Sequence, residues 1–228
     1  MRNQREFRVS PEVAALGVPV TAFVVTGMAN TRYPAGWRER WSSALSDVRR
    51  WAVANDPVTD PALAGYRELH AAIGVSSRKA VAAPEAMIKA MLKGRGVRPI
   101  SPVVDTYNLV SAQTRLAIGC HDMSKIAGNV ELRMTDGTEK FSPLGDDRPA
   151  EVRAGEYAYV DGPDRVICRL EVRQAAETLI TASTIDYLFI VQGNPRVAAD
   201  RARQVALQLA HELTEYHGGT IDLAFSSA

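Results

Sequence analysis

Asp105, Asn108 and Ser111 stand at three-residue intervals behind the apolar pair Val103-Val104, in the run Val103-Val104-Asp105-Thr106-Tyr107-Asn108-Leu109-Val110-Ser111. That spacing sets three polar groups on one side of a helical turn, read here as a turn leaving a strand, and suits a small polar pocket. The same residue types also bond local backbone amides at strand-to-helix turns, so Asp105 and Asn108 have a capping reading beside the functional one. Gly119-Cys120-His121-Asp122 follows. Cys120 and His121 have the chemistry of a nucleophilic pair, but neighbours on a strand face opposite ways and no third orienting group is identifiable.

A second feature is charge. Arg78, Lys79, Lys89, Lys93, Arg95 and Arg98 are opposed in their segment by Glu85 alone, beside Gly94 and Gly96. Glycine backbone can approach a phosphate closely, so the segment reads as a phosphate contact or as a solvated helix face. In His211-Glu212-Leu213-Thr214-Glu215-Tyr216-His217 the histidines are six apart, which is not the i, i+4 spacing of a zinc helix. A surface helix end is expected there, with His217 favourable against the helix dipole. No P-loop or dinucleotide loop is present, and neither a metal nor another cofactor is expected. Trp37, Trp41 and Trp51 are read as core rather than as a base-stacking platform.

The elements that must position these groups follow from pattern. Phe7–Val9 and Val18–Thr26 read as strands, the second too continuously apolar for a half-exposed edge. Trp37–Ala54 reads as an amphipathic helix with Trp41, Leu45, Val48 and Trp51 on one face, and Pro61–Ile73 as a second helix. Pro84 starts a helix through Lys93, closed by Gly94. From Leu116 to Ile190 strands dominate: Val130–Met134, then Tyr157–Val160 and Val166–Val172 around the hairpin signal Asp161-Gly162-Pro163-Asp164, then Tyr187–Val191. Asn194-Pro195 is expected to cap a long helix ending at Gly218-Gly219. Helices, then strands, then a packing helix argue α+β with a mainly antiparallel sheet.

Composition bounds the class. The chain has 228 residues, 46% hydrophobic and 23% charged, enough for one domain with a real core. With 27 basic and 26 acidic residues the net charge is +1, so any RNA contact must be local. Cys120 and Cys168 form no disulfide framework, no signal peptide or membrane span is evident, and a reducing cytoplasm is the expected location.

The ordered motifs resemble the tRNA-editing domain of the phenylalanyl-tRNA synthetase beta subunit, built from its third and fourth B modules, and above all free-standing members of that family. They are Lys93-Gly94-Arg95-Gly96, Asp105/Asn108/Ser111, Gly119/Asp122, Gly128/Leu132/Arg133, Gly155/Glu156/Asp161 and Arg173/Gln174/Thr178. The resemblance implies a single domain over residues 1–228. Its core would be 63–193, flanked by N-terminal strands and a helix in 1–62 and a packing helix in 194–217.

The resemblance also assigns expectations to residues. Asn108 lies 14 residues before Asp122, as the family's pocket asparagine does before its aspartate. Asn108, Glu156 and Arg173 are the expected catalytic set for ester hydrolysis, which needs a positioned water and a polarised carbonyl. Asp105, Ser111, Gly119, His121, Asp161, Gln174 and Thr178 would shape the substrate pocket. An ion pair of Arg173 with Glu156 or Asp161 is the competing reading. Arg78, Lys79, Lys89, Lys93, Arg95 and Arg98 would meet the tRNA backbone.

Two positions depart from the synthetase. Its pocket histidine is replaced by Gly119, and the glutamate that reads a tyrosine hydroxyl falls at Phe189 or Ile190. Without that carboxylate the tyrosine-clearing activity is not expected. The expectation is a stand-alone deacylase acting on a mischarged aminoacyl-tRNA, or a non-catalytic module binding RNA or a free amino acid. No ATP-dependent ligation, membrane or DNA partner is expected.

Overall fold

The computed structural model describes residues 5–93 and 99–222. Nine strands form two sheets among the described residues. The four-stranded sheet runs β3 (Ala117–Asp122), β8 (Tyr187–Gln192), β2 (Val20–Thr26), β9 (Thr220–Asp222), all antiparallel. The five-stranded sheet runs β1 (Phe7–Val9), β4 (Val130–Met134), β5 (Tyr157–Asp161), β6 (Arg165–Arg169), β7 (Arg173–Gln174). Its β1–β4 pair is parallel and the rest antiparallel. The α+β class with mainly antiparallel sheets therefore holds.

The helices are α1 (Pro11–Ala14), α2 (Trp37–Ala54), α3 (Pro61–Ala72), α4 (Ala83–Leu92), α5 (Pro102–Thr114) and α6 (Ala199–His217). None is long and apolar enough to cross a membrane.

Within the four-stranded sheet β3, β8 and β2 are buried on both faces, which explains the unbroken apolar runs of β2 and β8, while the edge strand β9 is exposed. Phe23, Val25, Ile118, Cys120, Phe189 and Val191 pack with α5 and α6. Alternate residues Ala22, Val24, Leu188 and Ile190 pack with Leu132, Tyr157, Tyr159 and Ile167 of the five-stranded sheet. Each Val, Leu, Ile or Phe among them contributes roughly 1.5–3 kcal/mol when fully buried. The two sheets thus face each other over a shared core.

Four expectations are corrected locally. Val103-Val104 do not end a strand: they lie in α5, which instead leads into β3 through Arg115 at φ 62°. Helix α6 starts at Ala199, not at Asn194. The Asn194 side chain ties the preceding turn to α3, donating to Ala62 O at 2.6 Å and accepting from Arg196 N–H at 3.0 Å. Gly65 must stay bare for this contact, because a Cβ there would meet Asn194 Oδ1 at 1.8 Å. Strand β6 stops at Arg169, not Val172: Leu170 takes φ 54° and turns the chain. A left-handed leucine is costly and marks a constrained position. His217 is buried, not at a solvated helix end, and its Nε2 lies 2.9 Å from Thr106 Oγ1.

Candidate active site

Alternation along the strands aims Ala117, Gly119 and His121 of β3, with Ile190 and Gln192 of β8, at the five-stranded sheet. With Tyr159 and Cys168 from that sheet and Glu171 from the turn between β6 and β7 they line a cavity of about 40 Å³. Gly119 and Ile190 are direct partners in the β3–β8 ladder. Of the two positions aligned with the absent glutamate, Ile190 faces the cavity and Phe189 faces the helices.

His121 is the ionisable group closest to the space above Gly119. A Cβ built on Gly119 would meet only His121 Nε2, at 3.9 Å. The imidazole therefore reaches back over the glycine from two residues away. Its Nδ1 lies 2.8 Å from Thr178 Oγ1, and Thr178 O accepts from Asp122 N–H at 3.0 Å, fixing the threonine. Burial pushes the His121 pKa down to about 4, opposed in part by the charge of Asp161. The ring is neutral at neutral pH. In the tautomer whose Nδ1–H donates to Thr178 Oγ1, Nε2 is left to accept from a water or substrate.

Cys120 points the other way, into the helix-side core, and burial raises its thiol pKa well above the usual value. A Cys-His nucleophilic pair is therefore absent in geometry as well as in pattern.

Behind the cavity lies a buried polar network that pattern reading missed. Glu171 accepts from Tyr157 OH and from Gln192 Nε2 at 2.9 Å, while Gln192 Oε1 accepts from Tyr159 OH at 2.6 Å. His70 Nε2 of α3 lies 2.5 Å from Glu171 Oε1, an electrostatic contact rather than a well-aligned hydrogen bond. Burial opposes a charge on His70, but Glu171 outweighs it and holds the pKa above the usual value. Tyr66 OH donates to Gln192 O at 2.5 Å and accepts from Ala117 N–H at 2.8 Å, pinning both cavity strands to α3. The available sequence signals were slight: a carboxylate, Glu171, between Leu170 and Val172, and a glutamine closing the apolar run of β8.

The turn made by Leu170 separates this cavity from an outer cleft of about 550 Å³. Cys168 and Glu171 face inward, while Arg169, Leu170, Val172 and Arg173 line the cleft. Gly74, Ser76 and Lys79 line it too, with Arg153 and Glu156. That size is in the range of small-molecule and cofactor sites.

The structure distributes the expected residues unevenly. Gly119 and His121 line the cavity, with Thr178 behind His121. Gln174 Nε2 donates to Cys120 O at 2.8 Å. Glu156 and Arg173 reach the cleft, but Glu156 is held by Arg169 in a bidentate pair of 2.6 and 2.7 Å. Arg173 pairs at the surface with Asp146 at 3.0 Å, replacing the expected partners Glu156 and Asp161.

Asp161 is structural: it pairs with Arg165 and accepts from the backbone of Ala127 at 2.8 Å and Gly128 at 2.7 Å. Asp105 is a local organiser too, accepting from Ile100 N–H at 2.9 Å and Tyr33 OH at 2.5 Å. Burial raises its carboxyl pKa, with those donors working against it. Ser111 donates to Leu116 O at 2.7 Å. Asn108 is half-buried on α5 and lines neither the cavity nor the cleft. Its helix packs on the opposite face of the four-stranded sheet.

Of the basic residues, Lys79 lines the cleft. Arg78 and Lys93 are exposed, and Lys89 is paired with Glu85 at 2.7 Å. Arg95 and Arg98, with Gly94 and Gly96, lie outside the described residues. Among the described residues no cluster of three His, Cys, Asp or Glu side chains could hold a metal ion.

The chain is 30% identical over 104 residues to the phenylalanine–tRNA ligase beta subunit of Mycoplasma genitalium, covering 46% of this chain and 13% of that subunit. The corresponding subunit of Mycoplasma pneumoniae is 34% identical over 73 residues, covering 32% of this chain and 9% of the subunit. The chain thus spans a small part of these relatives. An N-terminal fragment of the phenylalanyl-tRNA synthetase beta subunit from Pyrococcus horikoshii aligns in structure with 15% identity and a TM-score of 0.47, over 97% of this chain and 51% of that one. The B3/4 domain profile matches residues 65–216, from α3 through the cavity strands to the end of α6. With more than half of its length in that match, the chain belongs to the B3/4 domain family.

Proposed function

We propose that the protein hydrolyses, in trans, the ester of a mischarged aminoacyl-tRNA. The outer cleft would receive the 3′ end of the tRNA, and the cavity behind the Leu170 turn would receive the amino-acid side chain. The curated relatives that the chain matches in part are phenylalanine–tRNA ligase beta subunits, which supports a tRNA partner. The observation that carries the catalytic part is His121, a neutral imidazole with Nδ1 held by Thr178 and Nε2 over Gly119.

In this reading a water donates to His121 Nε2 and is aimed at the ester carbonyl carbon. A base whose pKa is about 4 is a weak proton acceptor at neutral pH, so its contribution is mainly to orient the water. Position accounts for most of the gain, because a fixed water and a fixed ester avoid the cost of meeting in solution. Lys79 and Arg153, on the cleft, would meet phosphate oxygens. The same weak basicity favours a second reading, a module that binds the aminoacyl end and catalyses nothing.

The test is ester release from a panel of correctly and incorrectly charged tRNAs, comparing the protein with His121→Ala. Rapid release of one mischarged amino acid, lost in the variant with its fold intact, is the expected result. No release from any charged tRNA sinks the enzymatic reading, and equal release by the variant removes His121 from the chemistry.

A further inference from the structure

We infer that the amino-acid side chain accepted by this site is small and aliphatic, with one to three carbon atoms, and that Gly119 and Ile190 set the limit. This rests on the cavity and cleft serving as proposed above. The first observation is size. The cavity holds about 40 Å³. A cavity of about 150 Å³ accommodates benzene, and one water needs about 10–15 Å³ of such space. An aromatic ring is therefore excluded without rearrangement of the facing sheets, whereas a methyl to isopropyl group is of the right order.

The second observation is the chemistry of the wall. Most of its polar atoms are engaged with one another, Glu171 Oε2 with Tyr157 and Gln192, and Gln192 with Tyr159, while Glu171 Oε1 faces His70. A side-chain hydroxyl entering there has two acceptors to meet, His121 Nε2, which the water needs, and Glu171 Oε1, which already lies 2.5 Å from His70 Nε2. Ile190 supplies an apolar wall directly across the ladder from Gly119. A hydrophobic pocket rejects an added hydroxyl only moderately, so serine and threonine should be slower rather than excluded.

The third observation makes the limit adjustable. A Cβ on Gly119 has a single neighbour within 4 Å, His121 Nε2 at 3.9 Å. Gly119→Ala should therefore fold and place a methyl where the substrate's own methyl would sit. Ile190→Ala should do the opposite and enlarge the cavity.

Two measurements test this. The first compares release of alanine, valine, serine, phenylalanine and tyrosine from tRNAs carrying each. Alanine should leave at least about 100-fold faster than phenylalanine or tyrosine. Gly119→Ala should cut alanine release by about tenfold or more, and Ile190→Ala should narrow the gap between alanine and phenylalanine. Phenylalanine or tyrosine released as fast as alanine overturns the inference while leaving the deacylase reading in place.

The second measurement is independent of catalysis. It is calorimetric binding of 3′-amino-3′-deoxyadenosine acylated through a stable amide with alanine or phenylalanine. Tighter binding of the alanyl compound, weakened in Gly119→Ala, supports the inference even in a protein that releases nothing. Equal or tighter binding of the phenylalanyl compound, or binding of neither, overturns it.

Discussion

His121 Nδ1 and Thr178 Oγ1 lie 2.8 Å apart, joining β3 to the segment that follows β7. Removing the hydroxyl without changing the shape tests whether this contact positions the ring. Thr178→Val should cost about 1–3 kcal/mol of stability, because Nδ1 is left buried without a partner. It should also lower kcat for ester release by about tenfold with little change in KM, since a ring free to turn loses the water but not the substrate. Equal loss in both parameters would point to a collapsed pocket instead.

Acid should weaken the fold through two histidines. Burial depresses the pKa of both His121 and His217 to about 4, below the usual 6.5. Each takes up a proton more readily when unfolded, so its stabilising contribution is complete above about pH 6.5 and is lost as pH falls towards 4. For His121 the full effect is at most about 3 kcal/mol. His70 runs the other way: its folded pKa is raised, so its contribution is present at low pH and lost as pH rises through that value. The net expectation is a falling Tm between pH 6.5 and 4, reduced in slope by His217→Gln. A flat Tm over that range would contradict it.

Two arginines beside the cleft should behave differently. Glu156, paired with Arg169, is 4% exposed, whereas Arg173 and Asp146 meet at the surface. Arg169→Met strands a buried carboxylate and should cost about 3–5 kcal/mol. Arg173→Met should change stability by less than about 1 kcal/mol. Urea midpoints of the two variants decide the matter.

Lys79 and Lys89 should separate in RNA binding. Lys79 lines the cleft, while Lys89 is paired with Glu85. Lys79→Ala should weaken tRNA binding and reduce the slope of log affinity against log salt by about one. Lys89→Ala should do neither. Fluorescence anisotropy at several salt concentrations gives both numbers.

Asn108→Ala should leave ester release nearly unchanged, since Asn108 lies on α5 away from the cavity. A loss as deep as that of His121→Ala would place the chemistry elsewhere.

Periodicity made the elements legible: β2, β8, α2 and α4 follow from apolar runs and helical stripes. Of the residues named from the sequence, Gly119, at a motif position, and His121, beside one, line the cavity. What stayed hidden depends on groups brought together by topology. Glu171, Gln192, Tyr159 and His70 come from three strands or turns and one helix, and no spacing in the chain connects them. The positive φ of Leu170, which turns Glu171 inward, has no signature in residue type. Asp105 and Ser111 bond backbone groups nearby, as short polar side chains do, and for Asp105 that reading was already open in the sequence.

The placement of β8 between β3 and β2 has a consequence for biosynthesis. Residues 20–25 pair with 187–192, so the central ladder closes a loop of more than 160 residues. Contacts so far apart in the chain form slowly. The ribosome will have made nearly the whole B3/4 region before the cavity has its second wall. Until then β2 and β3 present unpaired apolar edges, and a nascent chain stalled before residue 187 is the form that a holdase chaperone should capture.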